Sequence, residues 1–337
     1  MPPFLDPFCV NGRQLPSLFL VGAQKCGTTS MGVALLSLGF RGAGHNRVDE
    51  AWLGGSCFTG DTCSGGFQDG GFSTEKEAHF FDRGGRVEHG FGFYKAAFPA
   101  CNTRSFSPPS LDLTPDYMTL QTGAPGEFER LWPARLLPQT VVAMLLCDPL
   151  QRAQSYFYWS GMARKHGGTF GDYVREQRHQ QGAFSWAHPM WGKGRYGPSL
   201  ARWLDVAGHV YIIPSSTFYA EQATTVNAVI AAWQERSGKE LAQSDRLQEP
   251  LSDASSSPSP PRANHHAHPR LEDDVTGTAD RAALSELFRE SNEQVYGLIA
   301  TDARVTVLPY GRASSRYDSR FLAPVWDHEN VPVEGAG

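Results

Sequence analysis

The sequence lacks any apolar run long enough to cross a membrane. The run from Val141 to Cys147 is far shorter than the ~18 residues that a membrane helix needs. The N-terminus, from Met1 to Asp6, also lacks the basic and apolar regions of a signal peptide. The sequence as read therefore predicts a soluble chain with no membrane segment and no targeting signal.

Charge and paired cysteines are sparse as well. Charged residues make up 19% of the chain and the formal net charge is −5, which argues against a general surface for polyanions. We therefore expect no nucleic-acid partner, and any basic groove for a substrate must be local. The six cysteines show no C-x-x-C spacing, and His265, His266 and His268 lie in a stretch rich in Ser and Pro. We predict no metal site.

Two of the cysteines leave an alternative open. Cys57 and Cys63 lie in a Gly-rich stretch, residues 54–71. They can close a small disulfide if the protein is luminal, and otherwise they are two reduced loop thiols. The sequence does not decide between these two states.

Apolar periodicity predicts an α/β protein that opens with a buried strand and a buried helix. The strand covers residues 17–21, and the helix covers 28–38 and stops near Gly39. Later segments predict two more strands, at 141–146 and 210–213, and three more helices, from Pro149, at 224–233 and at 281–299. Strands alternating with helices imply a parallel sheet that is covered by helices on both faces.

Composition divides the chain into one large domain and its flanks. A chain of 337 residues can bury a large core, and we favour a single domain over residues 17–310. An extension, 1–16, precedes this domain and a tail, 311–337, follows it. Stretches rich in Gly, Ser, Pro and His predict mobile loops at 42–73 and 252–268.

A glycine-rich loop between the first strand and the first helix predicts an anion site. It reads Gly22-Ala23-Gln24-Lys25-Cys26-Gly27-Thr28-Thr29-Ser30. Its glycines let backbone N–H groups turn toward a phosphate, and the helix start, the hydroxyls and the Lys25 ammonium add donors. It departs from the nucleotide-triphosphatase pattern G-x-x-x-x-G-K-S/T, because Thr28 stands where lysine is required and the lysine lies three residues earlier. Lys25 therefore lies inside the loop, where it can reach the bridge between a phosphate and a group that is being transferred.

A second segment, residues 76–82, has the sequence Lys-Glu-Ala-His-Phe-Phe-Asp. A carboxylate beside a histidine, here Glu77 and His79, can serve as a general base when burial tunes its pKa. The alternative is an exposed turn that Phe80 and Phe81 anchor in the core. Spacing alone favours the turn.

A third segment, from Asp148 to Ser155, follows the strand at 141–146. Ligands of open α/β sheets bind at the edge where such strands end. Arg152 and Ser155 are three residues apart, so on a helix they share a face and can clamp one phosphate. The alternative is a solvated arginine and an ordinary polar position.

Taken in order, these segments resemble the carbohydrate sulfotransferases, most closely the heparan sulfate 3-O-sulfotransferases and N-sulfotransferases. Four blocks carry the resemblance: Gly22 to Ser30 as the 5′-phosphosulfate loop, Lys76 to Asp82 as the catalytic strip, Thr114-Pro115-Asp116-Tyr117 as the T-P-S-Y turn, and Asp148 to Ser155 as the 3′-phosphate motif. Weaker matches follow at Tyr94 to Pro99, Tyr196 to Leu204 and Leu287 to Ile299. The resemblance implies a P-loop-type sheet and sulfo transfer from 3′-phosphoadenosine 5′-phosphosulfate (PAPS) to a hydroxyl of a saccharide or another acceptor.

The resemblance also implies a role for each matched residue. Lys25 would stabilise the leaving phosphosulfate and Glu77 would be the general base, with His79 and Asp82 orienting the acceptor or assisting the base. The cofactor-binding set would be Gly22, Gln24, Lys25, Cys26, Gly27, Thr28, Thr29, Ser30, Arg152 and Ser155. The family is typically luminal in the Golgi behind an N-terminal anchor, so we expect either that compartment or the cytoplasm. The oligomeric state stays open.

Two departures from the family pattern keep other functions open. Cys147 stands where 3-O-sulfotransferases have an arginine on the 3′-phosphate, and Leu113 replaces the lysine before T-P-S-Y. One alternative, which depends on the apolar strand and acidic residue at 141–148 and not on these departures, is a P-loop kinase in which Asp148 helps to hold magnesium. The other is a catalytically degenerate member of the family that binds nucleotide or glycan.

Overall fold

The computed structural model describes residues 6–43, 77–101, 109–181, 184–239, 268–311 and 320–324. Most of the two long loops and of the C-terminal tail that the composition indicated therefore lies outside the described residues. So do Lys76, the cysteines Cys57 and Cys63, and the histidines His265 and His266. The alternative for Cys57 and Cys63 stays open.

Among the described residues, five parallel strands form the central sheet. In chain order the strands are a short pair, β1 (Cys9–Val10) and β2 (Arg13–Gln14), and then β3 (Pro16–Gly22), β4 (Ser110–Asp112), β5 (Val141–Leu146), β6 (Val210–Pro214) and β7 (Val305–Val307). The sheet order is β4-β3-β5-β6-β7, and β1 and β2 form a separate antiparallel pair. In the sheet, Leu18 lies opposite Val141, and Ala143 lies opposite Tyr211.

Helices connect the strands and cover the sheet. In chain order they are α1 (Thr28–Ser37), α2 (Gly84–Val87), α3 (Gly90–Ala96), α4 (Ala124–Leu131), α5 (Pro149–Trp159), α6 (Met162–His166), α7 (Phe170–Gln181), α8 (Pro189–Gly192), α9 (Tyr196–Ala207), α10 (Ser215–Ala220), α11 (Gln222–Ser237), α12 (Leu271–Asp274) and α13 (Thr278–Thr301). Short 3₁₀ turns lie at Pro115–Met118, Leu120–Thr122 and Ala134–Gln139. In the described part of the chain, no helix is both long enough and apolar enough to cross a bilayer.

Alternate residues of each central strand belong to two separate cores. Phe19 and Val142 pack on one face with α4, α9 and α13, whereas Leu18 and Val141 pack on the other with α1 and α11. This alternation follows from the two-residue period of a strand. Helices on both faces confirm the predicted α/β fold with a covered parallel sheet.

A third apolar cluster positions the helix that follows β5. Leu150 and Phe157 of α5 pack there with Phe170 of α7, Trp191 of α8 and Phe288 of α13. All five side chains are buried. Helix α5 is therefore held from its far side, and its opposite face is left to line a site.

The strands and helices predicted from periodicity are all present, with small changes at their ends. The strand at 141–146 has the predicted bounds, and the helices predicted at 224–233 and 281–299 are longer at both ends. The short strands β4 and β7 were not predicted. Each has three residues, which is too few for a periodic signal.

Candidate functional site

The glycine-rich loop at residues 22–30, called the anion loop below because the sequence predicts that it binds an anion, lies where successive strands are added on opposite sides of β3. Strand β3 precedes both β4 and β5 in the chain and lies between them in the sheet. The chain therefore runs from β3 to β4 on one side and then returns past β3 to β5 on the other, and a crevice forms outside the carboxyl ends of β3 and β5. The loop from Ala23 to Gly27 follows β3 at this edge, and Cys147 and Asp148 follow β5.

Backbone geometry explains two of the glycines in this loop. A Cβ at Gly22 would lie 2.5 Å from the Met118 Cβ, so a side chain would collide with the neighbouring turn. Gly27 precedes α1 with a φ of 105°, a conformation that glycine adopts without strain. Lys25 also has a positive φ, of 76°. The loop is thus a tight turn in which the lysine occupies a sparsely populated conformation.

One cavity of about 940 Å³ brings most of the predicted site residues together. Those on its wall are Gln24, Lys25, Cys26, Gly27, Thr28, Thr29, Glu77, Arg152 and Ser155. Four predicted residues do not line it: Gly22, Ser30, His79 and Asp82. Three segments that lie up to about 130 residues apart in the chain therefore meet at one place, and their functional groups can act on one ligand.

The Lys25 side chain is partly enclosed by the cavity wall. Its Nζ lies 5.2 Å from the centre of the Trp159 ring, which is 46% exposed. Burial lowers the pKa of Lys25 to about 8. An anion in the cavity would favour the charged ammonium, so the site is suited to a negatively charged ligand.

His79 lies between two carboxylates of its own segment. Its Nε2 is 3.0 Å from Oε2 of Glu77, and its Nδ1 is 2.8 Å from Oδ2 of Asp82. Burial lowers the pKa of His79, but the hydrogen bonds and charges of Asp82 and Glu77 outweigh it and raise the pKa to about 9. The imidazole is therefore protonated at neutral pH, donates to both carboxylates and holds Glu77 at the cavity wall.

The strip that carries Glu77 and His79 is bound to the turn at residues 114–117. The backbone N–H of His79 donates to Oγ1 of Thr114, and that of Phe80 donates to the Tyr117 hydroxyl. Phe80 and Phe81 are fully buried, so the anchoring role expected of them is confirmed. The strip is nevertheless no exposed turn, because Glu77 lines the cavity and His79 is largely buried.

Asp112, at the end of β4, holds this turn in place through hydrogen bonds to its carboxyl group. Its carboxyl group accepts hydrogen bonds from Thr114, from the hydroxyls of Tyr94 and Tyr117, and from the Ala78 N–H. Burial raises the pKa of Asp112 to about 6, although these hydrogen bonds oppose the rise. Asp112 is thus a structural group that positions the strip.

Helix α5 presents Ser155 and Arg152 to the cavity, but not in the same way. Ser155 is partly exposed, whereas Arg152 is fully buried and donates through Nη2 to the Met190 carbonyl. Within the described residues, Nε and Nη1 of Arg152 have no hydrogen-bond partner. The alternative of a solvated arginine is therefore wrong. A buried guanidinium with two spare donors fits an anionic ligand.

Asp148 caps the start of α5. Its Oδ1 accepts a hydrogen bond of 2.8 Å from the Leu150 N–H, as an N-cap side chain does. This contact gives Asp148 a structural role that needs no magnesium. Thr28, at the position where a kinase loop has its lysine, is also buried.

The anion loop and the end of β5 are joined by a disulfide between Cys26 and Cys147. A second disulfide links Cys9 of β1 to Cys101. Neither pair was predicted, because sequence reasoning considered only Cys57 and Cys63. Partners 121 and 92 residues apart leave no local spacing signal.

Sequence reasoning also missed Lys193, Trp159 and Tyr219. Lys193 Nζ lies 2.7 Å from Oδ1 of Asp116, which stands at the serine position of the T-P-S-Y pattern. A carboxylate in place of a serine near a site predicts a cation that balances its charge, and Asp116 could in this way have indicated a residue such as Lys193. Trp159 and Tyr219 line the cavity as partly exposed rings, and no spacing pattern identified them.

One cluster in the described segments has the composition of a metal site. One ligand atom each from His79, Asp82 and Asp116 lies within 4.8 Å of the others. Two cations already balance these carboxylates, the protonated His79 and the Lys193 ammonium. The cluster therefore gives no reason to assign a metal.

Comparison with known proteins gives a distant likeness only. No protein-family model matches the sequence, and no curated protein matches it. One solved structure that resembles the fold is a sulfotransferase from Alicyclobacillus acidocaldarius, with a TM-score of 0.43 and 17% identity over 85% of this chain and 96% of that one. At this distance no residue or activity is transferred from it, and the narrower resemblance to heparan sulfate sulfotransferases stays a prediction.

Proposed function

We propose that this protein is a PAPS-dependent sulfotransferase that acts on a hydroxyl group. The observation that carries the proposal is the convergence of Lys25, Glu77 and Ser155 on one cavity of about 940 Å³, although they come from three distant segments. Each side chain is of the type that the reaction requires at its place: a cation, a base and a hydroxyl that can donate a hydrogen bond to a phosphate. The spare donors of buried Arg152 also fit an anionic cosubstrate.

The donor nucleotide would supply an activated sulfo group on its 5′-phosphate. The anion loop would hold this end through its backbone N–H groups and the Thr28 and Thr29 hydroxyls, and Ser155 and Arg152 would hold the 3′-phosphate. Lys25 would stabilise the negative charge that develops on the leaving oxygen. Glu77, held by His79, would accept the proton of the acceptor hydroxyl. Catalysis would then consist mainly of positioning and charge stabilisation.

We further propose a saccharide or a similar hydroxylated compound as acceptor, on the basis of the ordered motif resemblance. Two disulfides among the described residues support an oxidising compartment such as the Golgi lumen. The proposed roles of Lys25, Glu77 and Ser155 do not depend on the identity of the acceptor or on the compartment.

The proposal is tested by comparing ligands in thermal unfolding. Adenosine 3′,5′-bisphosphate, the desulfated cosubstrate, should stabilise the protein, and a ligand at 100 times its Kd contributes about 2.7 kcal/mol. ATP with magnesium should stabilise it far less. The opposite order would favour the kinase alternative. Binding of the bisphosphate without sulfo transfer to any acceptor in a screen of desulfated glycosaminoglycans and small alcohols would favour a degenerate family member.

A further inference from the structure

Lys193 occupies a fixed position between α8 and α9. The preceding Trp191 is buried in the third apolar cluster. The following Gly194 packs so closely that a Cβ there would lie 2.6 Å from the Phe288 ring. The backbone on both sides of Lys193 is therefore held by packing, and its side chain projects from a rigid support.

The Lys193 ammonium binds two different segments of the site. Its Nζ donates to Oδ1 of Asp116 at 2.7 Å and to Oε1 of Gln24 at 2.9 Å. The same Nζ lies 5.7 Å from the centre of the ring of Tyr156, the residue that follows Ser155 in α5. The side chain is only 13% exposed, so these contacts are largely shielded from water.

One of the two bound segments carries a proposed reacting group, and the other supports the segment that carries the second. Gln24 lines the cavity and directly precedes Lys25. Asp116 belongs to the turn whose Thr114 and Tyr117 hold the backbone of the catalytic strip. Lys193 is thus a direct link between the anion loop, with its cation, and the turn that supports Glu77.

We infer that Lys193 is a positioning residue that sets the place of Lys25 relative to Glu77. This inference rests on the proposed function, because it assumes that these two groups act on one transfer. Lys193 does not line the cavity, so it acts through Gln24 and Asp116 and not on the ligand. Displacements of about 1 Å in such an arrangement lower a rate by about 10²-fold.

A matched control lies elsewhere in the chain. Lys239 Nζ lies 2.7 Å from Oδ2 of Asp6 and 4.8 Å from the centre of the Phe8 ring, and its side chain is 8% exposed. It therefore has the same chemistry and a similar burial, but it lines no part of the cavity. A general loss of stability caused by removing a buried ammonium should appear equally in Lys239→Met and Lys193→Met.

The test has a readout that needs no ligand. Hydrogen exchange of the backbone amides in peptides covering residues 22–29 and 114–117 should become at least ~5-fold faster in Lys193→Met, because local opening becomes easier. Lys239→Met should leave both peptides unchanged. Unchanged exchange in Lys193→Met, or equal changes in both variants, overturns the inference whether or not the protein transfers sulfate.

Kinetics supply the second readout. Lys193→Met should lower kcat by about 10²-fold and change the Kd of adenosine 3′,5′-bisphosphate by less than about threefold, and Lys193→Arg should recover part of the rate. Retention of kcat by Lys193→Met overturns the inference. If the wild-type protein neither binds the bisphosphate nor transfers sulfate, the proposed function fails, and the exchange experiment alone decides whether Lys193 positions the two segments.

Discussion

Cys26 and Cys147 form a disulfide that joins the anion loop to the start of the helix carrying Ser155, with their Cα atoms 5.4 Å apart. Cys26 directly follows Lys25, and Cys147 directly precedes the helix cap Asp148. The carbonyl of Cys26 additionally accepts a hydrogen bond of 2.6 Å from the Ser215 hydroxyl. The two segments that we propose to bind the two phosphates are therefore covalently fixed relative to each other.

Removal of this disulfide should weaken nucleotide binding. We predict that Cys26→Ser with Cys147→Ser raises the Kd of adenosine 3′,5′-bisphosphate at least ~10-fold, since the two halves of the site are no longer pre-organised. It should also lower the free energy of unfolding by about 2–5 kcal/mol. Calorimetric titration and urea denaturation measure the two effects.

The second disulfide is the control for this experiment. Cys9→Ser with Cys101→Ser opens a loop of similar length and should lower stability by a comparable amount. It should leave the Kd unchanged, because neither cysteine lines the cavity. Equal losses of affinity in both double variants would mean that the Cys26–Cys147 bond has no special role in the site.

Nucleotide binding should take up a proton above pH 8. Burial lowers the pKa of Lys25 to about 8, so part of the ammonium is deprotonated at pH 8.5 in the free protein, and a bound anion raises the pKa again. Calorimetric titration of the nucleotide in buffers of different ionisation enthalpy should show proton uptake at pH 8.5 and little uptake at pH 7. The affinity for the nucleotide should fall as the pH rises. Lys25→Met should remove the uptake. The same uptake in that variant would assign it to another group.

His79 should make stability depend on pH. The pKa of His79 is about 9 in the folded protein, whereas an ordinary histidine, as in the unfolded chain, has a pKa of 6.5. The folded state therefore binds the proton more tightly. The resulting stabilisation is complete below pH 6.5 and is lost as the pH rises through 9; two and a half pKa units correspond to about 3 kcal/mol.

Urea denaturation at pH 6.5 and pH 9.5 measures this effect against His79→Gln. The wild-type protein should lose about 3 kcal/mol more than the variant over this interval. Parallel losses would show that His79 is not protonated between Glu77 and Asp82.

Ser155 should distinguish nucleotides by their 3′-phosphate. Ser155→Ala should weaken binding of adenosine 3′,5′-bisphosphate by about 1.5–3 kcal/mol and leave adenosine 5′-monophosphate nearly unaffected. Arg152→Gln should show the same selectivity if the spare donors of Arg152 contact that phosphate. Ser160→Ala, at the residue that caps the end of the same helix and does not line the cavity, is the control. Equal weakening for both nucleotides would remove α5 from the 3′-phosphate site.

Local patterns predicted the parts of the fold and the site that depend on neighbours in the sequence. The buried strand β5 and the helix from Pro149 follow from a continuous apolar run and a proline at the first helical turn, and the anion loop follows from its glycines. The three-residue strand β4 and its buried Asp112 carry no such signal. Their existence depends on pairing with β3, which lies about 90 residues earlier in the chain.

The unpredicted parts of the site are contacts between distant residues. Lys193 and Gln24 are 169 residues apart, and the cysteines of the site are 121 apart. Only the folded sheet places these groups together. The burial of Arg152 was likewise missed, because a helix position facing a cavity wall and one facing solvent have the same sequence spacing.

The most direct measurement is single-turnover transfer of radiolabelled sulfate from PAPS to an acceptor found by screening, with wild type, Lys25→Ala and Glu77→Gln. Glu77→Gln should bind adenosine 3′,5′-bisphosphate nearly as well as wild type, and Lys25→Ala should lose far less affinity for it than transfer rate. Lys25→Ala should transfer at least about 10²-fold more slowly, and Glu77→Gln about 10²- to 10⁴-fold more slowly. His79→Ala should lose less than Glu77→Gln. Wild-type rates in Glu77→Gln, or the absence of transfer by the wild-type protein to every acceptor while the bisphosphate binds, would contradict the proposed function.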